Sequence, residues 1–139
     1  MTHLQRLYET ADGLGLQICY FPMENNTAIS TPDGFIGMDV ERLENSAGEL
    51  VCLAHEMGHC LTGSFYNRYT PYDLRQRHEN RADKWAILQL VAEDALDEAV
   101  AEGCCEIWNL AERFGVTEQF MQKAVCWYVH GNTAAELYF

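Results

Sequence analysis

Apolar positions along the first third of the chain follow one period and then another. Leu4, Leu7, Tyr8 and Ala11 stand at i, i+3, i+4 and i+7. That is one stripe of a helix over residues 2–13, closed by Gly13 and Gly15. Residues 16–21 form a short apolar run that Pro22 stops, the signature of a strand. Residues 28–30 and 35–40 read as two further extended segments. Thr31-Pro32-Asp33-Gly34 between them is a turn with a mechanism: proline presets φ, and Asp-Gly accommodates positive φ. A small antiparallel sheet is expected across residues 16–40.

From Ser46 onward the period is 3.6. Leu50, Leu53, Ala54, Met57 and Leu61 mark the apolar side of a helix that stops at Gly63. Residues 64–74 read as an aromatic loop carrying Tyr66, Tyr69, Tyr72 and Pro71. Residues 75–92 read as a second helix with Trp85, Leu88 and Val91 on one side. Glu93, Asp94, Asp97, Glu98 and Glu102 make residues 93–103 a solvated acidic face. Ile107, Leu110, Ala111 and Phe114 form another stripe, broken at Gly115. Thr117 then caps a last helix that turns Phe120, Ala124 and Trp127 inward. The expected fold is α+β: one domain over residues 1–139, with a helix and small sheet in 1–45, two central helices in 46–92 and C-terminal helices in 93–139.

Composition narrows the function classes. The 139 residues include 9 Lys+Arg against 21 Asp+Glu, a net charge of −12, with 48% hydrophobic and 12% aromatic side chains. Such a chain has enough apolar surface to offset the entropy of folding. Its acidity argues against a nucleic-acid or anionic-membrane surface, both of which need clustered Lys/Arg, and leaves a basic protein partner open. No apolar run approaches the roughly 20 residues of a membrane span. The first ten residues lack the charged-then-apolar order of an export signal, so a cytoplasmic protein is expected. Its six cysteines, with no CxxC pair, are expected to be reduced thiols.

Candidate chemistry lies in His55-Glu56-Met57-Gly58-His59. Side chains at i and i+4 of a helix have Cβ atoms about 5–6 Å apart, so both imidazoles can reach one Zn²⁺. Glu56 then lies beside the metal and not on it, placed to take a proton from an activated water. In a chain of this composition the pattern arises by chance about once in fifty to sixty sequences, so its setting matters. Here it falls within a strongly periodic helix. Gly58 also costs about 0.8–1.0 kcal/mol against Ala at a helix interior, so something should demand it, such as close approach of another backbone.

A catalytic zinc site takes three protein ligands and keeps one position open. Glu79, 20 residues beyond His59, is the third-ligand candidate, with Asp83 one turn further on the same face. With Glu79 on the metal, Asp83 can hydrogen-bond the outer nitrogen of a ligand histidine and fix its tautomer. Asp83 as the ligand itself is the competing arrangement, and His78 is a further neighbour. Zn²⁺ suits this donor set best; Mn²⁺ and Fe²⁺ occupy similar N/O sites.

The run His55-Glu-Met-Gly-His-Cys-Leu-Thr-Gly63, then Ser64-Phe-Tyr66, then Glu79-Asn-Arg-Ala-Asp-Lys-Trp-Ala86 resembles the ImmA/IrrE family of metallopeptidases. Supporting pattern comes from the opening helix, the segment Gly34-Phe-Ile-Gly-Met-Asp39 and the stretch Leu110-Ala-Glu-Arg-Phe-Gly-Val-Thr117. Val91-Ala92 departs from the Leu-Ile-Pro-like helix end common among members. The resemblance implies a zincin-like, gluzincin-type fold, with zinc on His55, His59 and Glu79 and Glu56 as general base. It also implies an endopeptidase of phages and integrative mobile elements whose partner substrate is a helix-turn-helix transcriptional repressor.

Peptide hydrolysis needs a second donor to the tetrahedral oxyanion besides the metal. Tyr66 stands first among Tyr66, Tyr69, Tyr72 and His78, being nearest in sequence to the metal helix. Two other classes of function share these residues: a metal-binding antirepressor that sequesters its partner uncut, and a toxin–antitoxin component. Residues 107–128 also have the outline of a DNA-reading helix-turn-helix. Glu106, Glu112 and Glu118 with only Lys123 in the second helix argue against phosphate contacts and for a helical pair or docking surface.

Overall fold

A computed structural model describes residues 1–131. The elements run α1 (His3–Gly13), β1 (Gln17–Tyr20), β2 (Ala28–Ser30), β3 (Phe35–Met38), a 3-10 turn (Val40–Arg42), α2 (Ser46–Thr62), α3 (Tyr72–Leu90), α4 (Glu93–Ala101), α5 (Ile107–Phe114) and α6 (Glu118–His130). The class is α+β, with six helices and one small sheet near the N-terminus among the described residues. The last eight residues of the expected C-terminal helical stretch, 132–139, lie outside them.

Local chemistry sets most boundaries. Thr2 and Gln5 close a capping box on α1. Asn45 accepts the Gly48 amide to start α2, and Gly63 ends it at φ 66°. Thr117 accepts the Phe120 amide at the start of α6, as its position suggested. α3 begins three residues earlier than its hydrophobic pattern suggests. Pro71 (φ −54°) sits at its N-cap, and the Arg75 amide already bonds the Pro71 carbonyl. Proline suits that position because no amide is needed there.

The sheet is mixed, which corrects the antiparallel expectation. Its order is β1-β3-β2. β2 and β3 pair antiparallel around the Thr31–Gly34 turn, but β1 pairs parallel with β3, Gln17 opposite Phe35 and Tyr20 opposite Met38. The chain leaves β1 through Phe21-Pro22 and crosses to the far side of β3 before β2 begins, with no tight reverse turn to make a hairpin. Gly37 makes this crossing possible: a Cβ there would lie 2.6 Å from the Phe21 ring.

α2 is the central element, packed against α1, β2, β3 and α3. Leu50, Leu53, Ala54 and Met57 of α2 meet Ile36 and Met38 of β3 on one side. On the other they meet Ala86, Ile87 and Leu90 of α3. Two stripe assignments change. Leu61 and Leu88 are 40% and 49% exposed, and the buried side of α3 runs through Ala82, Ala86 and Leu90. All six cysteines stand unpaired. Among the described residues no helix is long and apolar enough to cross a membrane.

Candidate metal centre

The site grows from one contact between two helix backbones. At Gly58 of α2 a Cβ would lie 2.5 Å from the Ala82 carbonyl oxygen and 2.9 Å from its Cα, so only glycine admits α3 this close. The two helices meet with matching patterns. His55 and His59 flank Gly58 at −3 and +1; Glu79 and Asp83 flank Ala82 at −3 and +1. Small residues at the crossing thus bring four functional side chains to one place.

His55, His59 and Glu79 converge so that one ligand atom from each lies within 4.8 Å of the others. The two Nε2 atoms are 3.2 Å apart. Glu79 reaches His55 Nε2 at 2.8 Å through one oxygen and His59 Nε2 at 3.3 Å through the other. Ligand atoms on a tetrahedral ion with 2.0–2.1 Å bonds are separated by about 3.3 Å, so the set has the right dimensions.

The outer ring nitrogens fix the tautomers. His55 Nδ1 donates to Asp83 Oδ1 at 2.8 Å, and His59 Nδ1 donates to the Ser64 carbonyl at 2.5 Å. The Ser64 carbonyl is in reach because Gly63 takes the left-handed conformation and folds the chain back over α2. With both Nδ1 atoms protonated, the inward Nε2 atoms and the Glu79 oxygens are all acceptors. Three acceptors crowded together need positive charge between them, from protons or from a metal ion. His55, His59 and Glu79 therefore could bind a metal ion, and Asp83 stands behind His55 and outside the ligand set.

Titration reflects the same crowding. Burial opposes a charge on His55, but hydrogen bonds to Asp83 and Glu79 outweigh it and push the imidazole up to about 10. His59 is raised as well, against its burial, by Glu79 and the Ser64 carbonyl. Burial would raise both carboxyls, yet the imidazoles hold Glu79 and Asp83 below the usual carboxylate range, with Lys123 adding to the effect on Asp83.

Glu56 is on the cleft side of α2 and outside the ligand cluster. Its Oε1 accepts from Ser30 Oγ of β2 at 2.7 Å. Tyr66 donates to Glu79 Oε1 at 2.7 Å, so its hydroxyl is engaged with a ligand carboxylate. Its ring stacks on His78 at 6.3 Å, and the phenol is pushed up to about 12, first by burial and then by Glu79. Tyr69 and Tyr72 are 78% and 75% exposed and do not line the cleft. His78 stays beneath Tyr66, away from the ligand cluster.

Three contributors were not apparent from sequence. Ser30 comes from a strand that carries no motif. The Ser64 carbonyl is backbone, visible only through the Gly63 stop. Lys123 of α6 reaches Asp83 Oδ2 at 3.2 Å across 40 residues of chain, so both oxygens of that buried carboxylate are satisfied. Two cavities, of about 370 and 430 Å³, adjoin at the centre and share Ala28, His55, Glu56 and Glu79 in their walls. Compared with models of known protein families the chain matches none, and a search of curated proteins also gives no match.

Proposed function

We propose that this chain is a zinc-dependent endopeptidase of the ImmA/IrrE kind, acting on a protein substrate, a helix-turn-helix transcriptional repressor. The observation that carries the reading is Glu56, a carboxylate beside the cation-binding set but not in it, anchored from a sheet edge and facing the cleft. A purely structural metal site closes its coordination with four protein ligands and has no use for such a neighbour. Two imidazole nitrogens and one carboxylate are the donor set that favours Zn²⁺.

His55, His59 and Glu79 would hold a divalent cation, which would supply Lewis-acid chemistry toward a scissile carbonyl and an attacking water. The protein's residues do the rest. Ser30 holds one oxygen of Glu56 and leaves the other to accept the proton lost by the water. Glu56 then delivers that proton to the leaving amine. Asp83 and the Ser64 carbonyl keep both imidazoles presenting Nε2.

Two adjoining cavities that share walls at the centre suit an extended chain better than a compact ligand that needs enclosure. β2 borders this cleft as an edge strand. Its ladder to β3 runs through Thr27 and Thr31, whose partners are Asp39 and Phe35. By antiparallel alternation Ile29 also faces β3, and the backbones of Ala28 and Ser30 face the open side. A substrate segment can add there as a further strand. The net charge of −12 favours encounter with a basic substrate.

The test is co-expression with a repressor encoded beside the gene. The wild-type protein, purified without added metal, should contain about one zinc per chain and cut the repressor. Glu56→Gln should retain the metal and leave the repressor intact. A wild-type protein that co-elutes with uncut repressor over long incubation would establish sequestration instead.

A further inference from the structure

On the face of α6 away from the metal centre, α4, α5 and α6 enclose a groove of about 330 Å³. Each helix contributes one stripe. Leu96 and Val100 come from α4, Ile107 and Leu110 from α5, Val125 and Val129 from α6. At 100° per residue, Val125, Tyr128 and Val129 point some 140–240° away from Lys123, which faces Asp83. The groove and the centre therefore use opposite sides of one helix. Val100 and Val129 are 46% and 67% exposed, apolar side chains left in water at the mouth of the groove.

Its rim has a single sign. Glu93 and Asp97 line the groove, with Asp94 and Glu98 beside them on α4. No Lys or Arg occurs between Lys84 and Arg113 in the sequence. Among the described residues none of these four acids has an ion-pair partner. Arg113 lies near enough to act on Glu98 through its charge; an apolar trough between helix ridges, edged at Glu93 and Asp97 by carboxylates outside any ion pair, is complementary to one kind of occupant.

We infer that this groove docks an amphipathic helix of a partner protein, its apolar stripe in the trough and Lys/Arg residues against Glu93 and Asp97. An extended strand finds no sheet edge here. Nucleic acid and anionic lipid are repelled by the rim. The inference stands apart from the peptidase reading, because it uses none of the cleft residues.

The probe is a fluorescein-labelled 18-residue helix of Leu and Lys with apolar positions at i, i+3, i+4 and i+7, and its Leu/Glu counterpart. Fluorescence anisotropy with the full chain should show saturable binding of the Leu/Lys helix and none of the Leu/Glu one. The double variant Val100→Asp/Val129→Asp gives the decisive comparison. Both positions are exposed, so the fold is retained, as circular dichroism will verify. Docking in the groove predicts affinity at least about tenfold weaker, because carboxylates enter the apolar trough. General adhesion of a cationic peptide to an acidic protein predicts tighter binding, since the variant gains two negative charges. Unchanged or tighter binding overturns the inference. So does sedimentation equilibrium showing a wild-type dimer that the double variant dissociates, because the groove would then belong to a second copy.

Discussion

The α2–α3 crossing makes Gly58→Ala the most informative single substitution. Alanine would improve the intrinsic helix propensity of α2 by about 0.8–1.0 kcal/mol. Its Cβ, however, would sit 2.5 Å from the Ala82 carbonyl oxygen and 2.9 Å from the Ala82 Cα. Both are backbone atoms that cannot rotate away. The helices must part by about 0.5 Å or more to restore a tolerable contact, and overpacking of this kind costs about 1–3 kcal/mol. Set against the propensity gain, overpacking leaves a net loss of up to about 2 kcal/mol. The effect on the site is larger than the effect on the fold. Metal ligand distances tolerate about 0.2 Å, and the parting moves Glu79 from the two imidazoles by more than that. Thermal melts of metal-free protein should therefore show a modest fall in Tm, with a much greater loss of zinc affinity in competition with a chromophoric chelator. A Gly58→Ala protein that is as stable as wild type and binds zinc as tightly would refute the claim that this backbone contact sets the geometry.

Three other outcomes follow from particular hydrogen bonds. Ser30→Ala removes one charge-assisted bond from Glu56, and at about 1.5–3 kcal/mol it should slow cleavage roughly ten- to hundredfold while zinc affinity stays the same. Asp83→Asn should weaken zinc binding about 10–100-fold, measured by chelator competition, because His55 loses its carboxylate partner. The third concerns pH. The folded His55 pKa, about 10, lies above its unfolded value near 6.5, so its stabilisation of the metal-free protein is complete below that value and is lost as pH rises toward 10. Zinc must displace the same proton, so its affinity should rise over that interval by about a decade per pH unit for each proton released. Differential scanning fluorimetry from pH 6.5 to 8, with and without zinc, should show a falling metal-free Tm and a growing zinc-induced shift; parallel slopes would reject the linkage.

The residues that bind each other across short stretches of chain were legible in the sequence, and those that meet across long ones were not. His55, Glu56 and His59 share one helical turn, so period and motif suffice. Gly58 signalled a close neighbour because nothing else justifies glycine inside that helix. Glu79 and Asp83 could be ranked by their spacing, but their division of labour depends on where α3 crosses α2. That point is set by Gly58 against Ala82, a pairing of two small residues with no local signature. β1 and β3 illustrate the same limit. Their strand propensities are evident, while the choice of parallel pairing depends on the Phe21 ring settling over Gly37. Lys123 was visible as a lone cation in an acidic stretch, and only packing of α6 on α3 discloses that it faces Asp83. Ser30 lies on a strand three residues long, where the period-2 pattern is too short to say which side chain faces inward.

Tyr66 brings these limits to a testable point. Sequence proximity suggested that its hydroxyl serves the oxyanion, yet the hydroxyl donates to Glu79 Oε1 at 2.7 Å. Burial and Glu79 raise the phenol to about 12, so at neutral pH it is a proton-bearing donor whichever acceptor it meets. The two roles separate in Tyr66→Phe. If the hydroxyl positions Glu79, its removal frees a ligand carboxylate that has already lost solvent, and zinc affinity falls while kcat at saturating zinc holds. If it turns from Glu79 to the oxyanion during the reaction, zinc affinity holds and kcat falls by about 10²–10³, the loss typical of one oxyanion donor. The ring is half exposed, held between the His78 ring and the Arg75 guanidinium 5.9 Å from its centroid, and neither contact is a packed apolar wall against rotation toward the cleft. Glu79 keeps both imidazoles as partners when the hydroxyl leaves, which makes the donor easier to lend than the ligand is to disturb. The expected result is therefore a fall in kcat with zinc affinity within about threefold of wild type, equivalent to less than one hydrogen bond. A tenfold loss of zinc affinity with kcat intact would assign Tyr66 to the metal site alone.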